Sequence, residues 1–165
     1  MKKILFGSIA AFAVVISGCS TKSTSVSSDT SVDSNRGSNG TDNWDIDSRI
    51  SQLNDTLNKV YFDFDKFNIR SDMQNVINNN ANIFNTQVSG VNITVEGNCD
   101  EWGTDEYNQA LGLKRAKAVK EALIAQGVNS DRISIKSYGE TNPVCTEKTK
   151  ACDAQNRRAE FKLSK

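Results

Sequence analysis

The 165-residue sequence contains no histidine. That removes Ser-His and Cys-His catalysis and every His-containing metal site. Its 20 basic and 20 acidic residues cancel, and the basic ones form no long stripe, which argues against a nucleic-acid partner. The apolar run at residues 4–16 is short of the roughly 20 residues that a membrane span needs. Apolar side chains nearly vanish between residues 21 and 43, where Ser, Thr, Asn, Asp and Gly dominate. Such a stretch cannot bury a core and is expected to be a disordered tether. Roughly 24 residues of this kind reach at most about 80 Å, with an r.m.s. span near 27 Å.

What the N-terminus does have is ordered in a telling way. Met1-Lys2-Lys3 is a short basic region, the apolar run follows, and "ISGCS" occupies residues 16–20. The last of these resembles the lipobox of bacterial lipoproteins; the plainer alternative is an ordinary secretory signal with a chance cysteine. The resemblance implies a cut before Cys19, a diacylglycerol on its thiol and an acylated new amino terminus. Several acyl chains anchor firmly where one does not. Ser20 after the cysteine implies, by analogy with enteric lipoproteins, delivery to the outer membrane, with the rest of the chain in the periplasm. Loss of residues 1–18 removes Lys2 and Lys3 but no acidic residue, leaving a net charge of about −2.

The chain therefore divides into a signal peptide at residues 1–18 and a lipidated N-terminus with tether at residues 19–44. Residues 45–58 form a possible helix or wrap, in which Ile46, Ile50, Leu53 and Leu57 share one face. The domain spans residues 59–165. Within it, "VYFDF" at residues 60–64 reads as a strand. Ser71 is a candidate cap for a helix with Met73, Val76, Ile77, Ile83 and Phe84 as apolar positions. Asn78, Asn79, Asn80 and Asn82 have poor helix propensity, so packing must hold that helix. Residues 91–97 form a second strand, and Thr104 caps a long helix that ends near Gly127. Residues 132–139 and 159–164 are the remaining strands, the last after a possible helical turn at residues 154–157. The order β-α-β-α-β-(α)-β predicts an α/β fold with helices packed on one sheet.

Four cysteines suggest an oxidising address. Cys145 and Cys152 bracket a polar loop, and a bridge there would contribute about 2–3 kcal/mol on a chain-entropy account. A metal pair completed by Cys99 is the rival, short of two ligands, and no metal site is expected. Cys99 itself reads either as a buried small residue at a strand end or as a reactive thiol.

The sharpest anomaly is in the second helix. Leu111, Arg115 and Val119 share its apolar face, with Asn108 on the same stripe. A buried, unpaired guanidinium is very unfavourable, so Arg115 is expected to reach a carboxylate, within the protein or on a ligand. Asp100, in the loop that leads into this helix, is the candidate partner. A cation and an anion that converge without cancelling suit a zwitterion. The alternative is a structural salt bridge between the two.

Four segments carry a resemblance: "YFDFDKFNIR", "EGNCDEWGTDEYNQALGLKRAKAVKEAL", "ISIKSYGETNPVC" and "NRRAEF". Together they resemble an OmpA-like domain of the peptidoglycan-associated lipoprotein (Pal) family of Gram-negative bacteria. The resemblance covers about residues 60–165 and implies an OmpA-like α/β two-layer sandwich on one mixed four-stranded sheet. It also implies non-covalent binding to the peptide stem of peptidoglycan through diaminopimelate, whose side-chain end is a zwitterion. Asp100 and Arg115 match the positions that hold this end. Phe64 and Asp65 match a neighbouring wall, and Asn98, Thr104, Asn108 and Leu111 match further contact or pocket-shaping positions. Arg158 matches a supporting position. A protein that ties outer membrane to cell wall, acting in envelope integrity and cell division with TolB and other Tol components, is the function implied. No cofactor is expected beyond the lipid on Cys19. Two departures stand out: Asn98-Cys99 replaces a common His-containing pair, and Trp102 stands where relatives often place Arg. Trp102 either stacks on the ligand or covers the loop. The rival functions are a peptidoglycan hydrolase, which the missing histidine disfavours, and a purely structural anchor domain.

Overall fold

The computed structural model describes residues 41–165. The expected signal peptide, Cys19 and the expected tether up to residue 40 lie outside the described residues. In chain order the elements are α1 (Thr41–Thr56), β1 (Val60–Tyr61), α2 (Gln74–Thr86), β2 (Asn92–Asn98), α3 (Asp105–Ala125), β3 (Ile133–Gly139), α4 (Lys150–Asn156) and β4 (Arg158–Ser164). The four strands form one mixed sheet in the order β1-β4-β2-β3. The last strand lies between the first two, antiparallel to both, and β3 runs parallel to β2 at the edge. Among the described residues no helix is long and apolar enough to cross a membrane.

Strand alternation sorts the side chains. In β2, Ile93 and Val95 are buried while Asn92 is exposed and Thr94 and Glu96 are half-buried. In β4, Phe161 and Leu163 are buried and Lys162 is exposed. The buried face packs on Ile77, Ala81 and Phe84 of α2 and on Ala116, Val119 and Leu123 of α3. Phe84 meets Phe161 edge-on, with ring centroids 5.5 Å apart. The asparagine-rich α2 holds through this packing and through Asn80, fully buried, whose Nδ2 donates to the carbonyl of Asn58 at 2.8 Å.

Helix α3 begins and ends as expected. Thr104 accepts the backbone N–H of Tyr107 at 3.2 Å, satisfying one donor of the first turn. Gly127 has φ of 85°, and it and Val128 donate their N–H groups back to Ile124 and Leu123 at 2.9 and 3.1 Å. Midway, Gly112 lets α3 ride directly on β2. A Cβ placed on Gly97 would lie 1.9 Å from the carbonyl oxygen of Gly112.

Several bounds differ from expectation. The first strand stops at Tyr61 instead of residue 64, because the chain leaves the sheet in a turn where Lys66 N–H meets the Asp63 carbonyl at 3.2 Å and Asp65 takes φ of 56°. Ser71 caps nothing; it opens a short 3-10 turn, and α2 starts at Gln74 with no side-chain cap. The short helix is α4, at Lys150–Asn156, earlier than the expected turn at residues 154–157. The possible helix at residues 45–58 exists as α1 but starts at Thr41, within the stretch assigned to the tether. Ile46, Ile50 and Leu53 lean on the core. Asn54 closes the edge that the two-residue β1 leaves open: its amide accepts from Leu163 N–H at 2.7 Å and donates to Leu163 O at 3.4 Å, in the manner of a strand.

Candidate functional site

At the C-terminal end of β2 the chain passes into a loop of residues 99–104 before α3. This is the end at which strand-to-helix loops in open sheets commonly form crevices. Here the loop, the turn after β1 and the first turns of α3 enclose a cleft of ≈ 340 Å³ lined by Phe64, Asp65, Asp100, Trp102, Gly103, Tyr107 and Leu111. Phe64, Trp102 and Tyr107 expose 59%, 60% and 51% of their surface, so three aromatic rings face solvent around two carboxylates. Leu111 is nearly buried.

Asp100 is 3% exposed and is paired, but not with Arg115. Its Oδ2 accepts from Nη1 of Arg157 at 2.9 Å, and Nε of Arg157 donates to the Phe62 carbonyl at 3.2 Å. Arg115 is fully buried and finds no carboxylate. Its Nε donates to Lys66 O at 2.8 Å, Nη1 to Asn98 O at 2.8 Å and to Cys99 Sγ at 3.4 Å, and Nη2 to Asp63 O at 3.2 Å. The guanidinium also sits 5.3 Å from the Phe62 ring centroid. The alternative of a structural salt bridge between Arg115 and Asp100 is thus corrected: within the protein, backbone carbonyls, each a strong acceptor, satisfy the guanidinium. Burial pushes its pKa down, opposed by Cys99, Asp100 and Asp65 and reinforced by Arg157. Arg115 is a strut that ties the turn after β1 to the end of β2.

The remaining expected residues fall on three levels. Phe64, Asp65, Asp100 and Leu111 line the cleft. Thr104 is the helix cap at its rim. Asn98 and Asn108 lie beneath it, fully buried. Asn98 donates to Glu96 O at 3.0 Å and accepts from Asn142 at 3.2 Å. Asn108 donates to the Asp100 carbonyl at 3.3 Å and to the Glu140 carboxylate. The arginine that bonds the cleft's Asp100 is Arg157; Arg158 instead pairs with Glu160 at 2.9 Å and donates to Asn142 O at 3.2 Å.

Two residues were missed by the sequence reading: Arg157 and Tyr107. The tyrosine hydroxyl donates to the Asp65 carboxylate, and this bond raises the phenol pKa above its ordinary value. The signal for Tyr107 was its place three residues after the Thr104 cap, on the turn that opens the helix. Trp102 both lines the cleft and is held: its Nε1 donates to Asp153 Oδ2 at 3.1 Å.

Cys145 and Cys152 form a disulfide and Cys99 is free and buried, as expected. Burial pushes the Cys99 thiol up to about 11, against the opposing effect of Arg115, and the thiol donates to Asn108 O at 3.3 Å. At neutral pH it is protonated and enclosed, so the reading as a reactive thiol fails.

Comparison with known proteins places these features. Residues 61–157 match the family described as the OmpA family. A peptidoglycan-associated lipoprotein of Pseudomonas putida is similar over 168 residues at 34% identity, covering 98% of this chain and 99% of its own. That of Pasteurella multocida is 42% identical over 110 residues, covering 67% of this chain and 73% of its own. Among solved structures, the peptidoglycan-associated lipoprotein of Burkholderia pseudomallei superposes with a TM-score of 0.61 at 39% identity, covering 64% of this chain and 89% of its own. The C-terminal domain of Helicobacter pylori MotB gives a TM-score of 0.61 at 29% identity, over 66% of this chain and 84% of its own.

Proposed function

The chain belongs to the OmpA family, and from that premise we propose that its domain binds peptidoglycan non-covalently through the diaminopimelate of the stem peptide. The observation that carries this reading is the charge pattern of the cleft. Two carboxylates, Asp65 and Asp100, stand at its surface. Two guanidiniums lie near Asp100: Arg157 at 2.9 Å and Arg115 beneath, whose pKa feels both Asp100 and Arg157. Such a balanced set accepts a zwitterion without adding net charge to a half-buried place. The ligand's ammonium meets Asp100 within the aromatic walls, where ring faces also attract cations. Its carboxylate is drawn by the field of Arg115 and Arg157. Asn98, Thr104, Asn108 and Leu111 shape the cleft from below and at the rim.

The same reading makes the protein a binding module, not an enzyme. Cys19 carries the lipid that anchors it in the outer membrane, the tether lets the domain reach the wall from the periplasm, and TolB and other Tol components are its partners in holding the envelope together. The printed names of the relatives, peptidoglycan-associated lipoproteins in several bacteria, support the wall-binding part.

A pull-down with purified sacculi tests it. Asp100→Asn keeps the shape and removes the charge. A charge-assisted bond contributes about 1.5–3 kcal/mol, so binding should fall roughly 10- to 150-fold with an unchanged circular dichroism spectrum. Wild-type binding by this folded variant would sink the ligand assignment. The lipid is tested separately: Cys19→Ala should take up no labelled palmitate.

A further inference from the structure

Three consecutive residues of the β2–α3 loop are each gripped by one segment. Asp100 is bonded to Arg157, Glu101 pairs with Lys148, and Trp102 donates its indole N–H to Asp153. All three partners follow Cys145, and the segment they sit on is closed on itself. The Cys145–Cys152 disulfide spans its loop. Thr149 caps α4 through the N–H of Cys152 at 3.2 Å. Asn156, at the far end of α4, accepts from Val144 N–H at 2.9 Å and Cys145 N–H at 3.1 Å and donates to Cys145 O at 2.8 Å. A crosslink, a cap and an asparagine staple thus make one rigid block of residues 144–157.

Asp100 and Trp102 line the cleft, while Lys148 and Asp153 line a separate hollow of ≈ 380 Å³ on the other side of the loop. The loop is therefore a thin partition, with the ligand-facing side chains on one side and the groups that hold them on the other. An indole that is 60% exposed has little packing to fix it. Its hydrogen bond to Asp153 is what restricts its rotamers, and a wall already ordered before binding spares the ligand that entropic cost.

We propose that this disulfide-closed segment is the positioning element of the cleft, and that Asp153 is the positioning residue which holds Trp102 as a preformed wall beside Asp100. This rests on the reading of the cleft as a peptidoglycan site and adds which residues outside it set its affinity. Trp102 contacts ligand; Asp153 acts only through Trp102. Ligand groups that lie against the indole are uncharged or cationic, since the wall and the adjacent Asp100 offer an anion nothing.

The test uses the full-length protein in detergent micelles and a soluble muropeptide carrying diaminopimelate. The chain has two tryptophans, so the Trp102 indole N–H signal is assigned by its loss in Trp102→Phe. Asp153→Ala should lower muropeptide affinity by about two- to twelvefold, the cost of ordering one side chain on binding. The Trp102 indole N–H should exchange faster with solvent in this variant. Asp153→Asn, which keeps an oxygen acceptor, should bind as wild type does. Trp102→Phe keeps a ring but loses the donor, and should lose affinity by a similar factor even if Asp153→Ala proves unstable. Wild-type affinity in both Asp153→Ala and Trp102→Phe, or equal losses in Asp153→Ala and Asp153→Asn, would overturn the proposal. If the wild-type protein itself ignores the muropeptide, the peptidoglycan reading fails. The exchange comparison then stands alone, and an indole N–H equally protected in the wild type and in Asp153→Ala overturns the clamp.

Discussion

Asp100 and Arg115, the two charges that a sequence pattern most readily couples, are not bonded to each other; Asp100 is bonded to Arg157 and Arg115 to carbonyl oxygens of Asp63, Lys66 and Asn98. The division has a physical logic. A guanidinium offers donors in a planar fork, and a chain turning sharply offers carbonyls that no helix or strand will use. Arg115 meets that need. Asp100 is left with a single arginine and one edge turned to the cleft, so it retains the capacity to accept a further cation.

The Asp100–Arg157 pair yields an asymmetric prediction. Arg157→Ala leaves a nearly buried carboxylate without its partner and should destabilise the domain by about 3 kcal/mol. Asp100→Asn leaves a neutral amide facing a guanidinium that is still bonded to Phe62 O, and should cost about 1 kcal/mol. Urea denaturation of both single variants and the double variant measures the coupling. Equal costs for the two single changes would contradict the assignment.

Cys99 predicts a pH dependence. Burial holds its thiol up at about 11, above the ordinary value near 9.0. Because the folded pKa is raised, the contribution to stability is complete below about pH 9, where thiols of both states are protonated. It is lost as pH rises toward about 11, since the unfolded chain ionises first. Two pH units correspond to roughly 2–3 kcal/mol at most. Wild type should therefore lose stability between about pH 9 and pH 11 more steeply than Cys99→Ala does. Native protein at neutral pH should resist alkylation at Cys99 until denaturant is added.

How far the sequence spoke depended on how local each feature was. Helix α3 was legible because its cap at Thr104, its stripe and its stop at Gly127 all lie within the element itself. The disulfide was legible because its cysteines flank one short loop. The first strand was over-read because alternation persists through Phe64, whereas Asp65 at φ of 56° turns the chain out of the sheet. Arg157 and Arg158 could not be told apart, since neighbouring residues at a strand start point opposite ways and only the register of β4 decides which meets Asp100. Asn54 gave no signal either, because edge pairing by a side chain needs the strand to be placed first.

The contact of α3 with β2 makes Gly97 intolerant. An added Cβ would meet the Gly112 carbonyl at 1.9 Å, and that acceptor is backbone inside a helix, unable to swing aside. Gly97→Ala should destabilise the domain by about 3 kcal/mol or more, at the upper end of overpacking costs. Gly90→Ala, with nothing within 4 Å of the added atom, is the control and should change stability little. A thermal melt of the two variants distinguishes them directly.

The last prediction concerns Arg115. If it is a strut, its replacement by lysine should fail even though charge is kept. The four acceptors around it, three carbonyls and the Cys99 sulfur, are spread over Nε, Nη1 and Nη2. A single ammonium nitrogen cannot reach them all, so Arg115→Lys strands at least one buried acceptor, at about 1–3 kcal/mol each. The turn after β1 should loosen first, because the Asp63 and Lys66 carbonyls accept from this side chain, which also donates to Asn98 O at the end of β2. Amide exchange should therefore rise at residues 63–67 in Arg115→Lys, ahead of any change in α2 or the centre of the sheet. Binding to sacculi should fall as well, since Phe64 and Asp65, which line the cleft, ride on that turn. A variant that keeps wild-type protection at residues 63–67 yet loses binding would show that binding depends on Arg115 through the ligand's carboxylate alone and that its bracing of the turn is incidental.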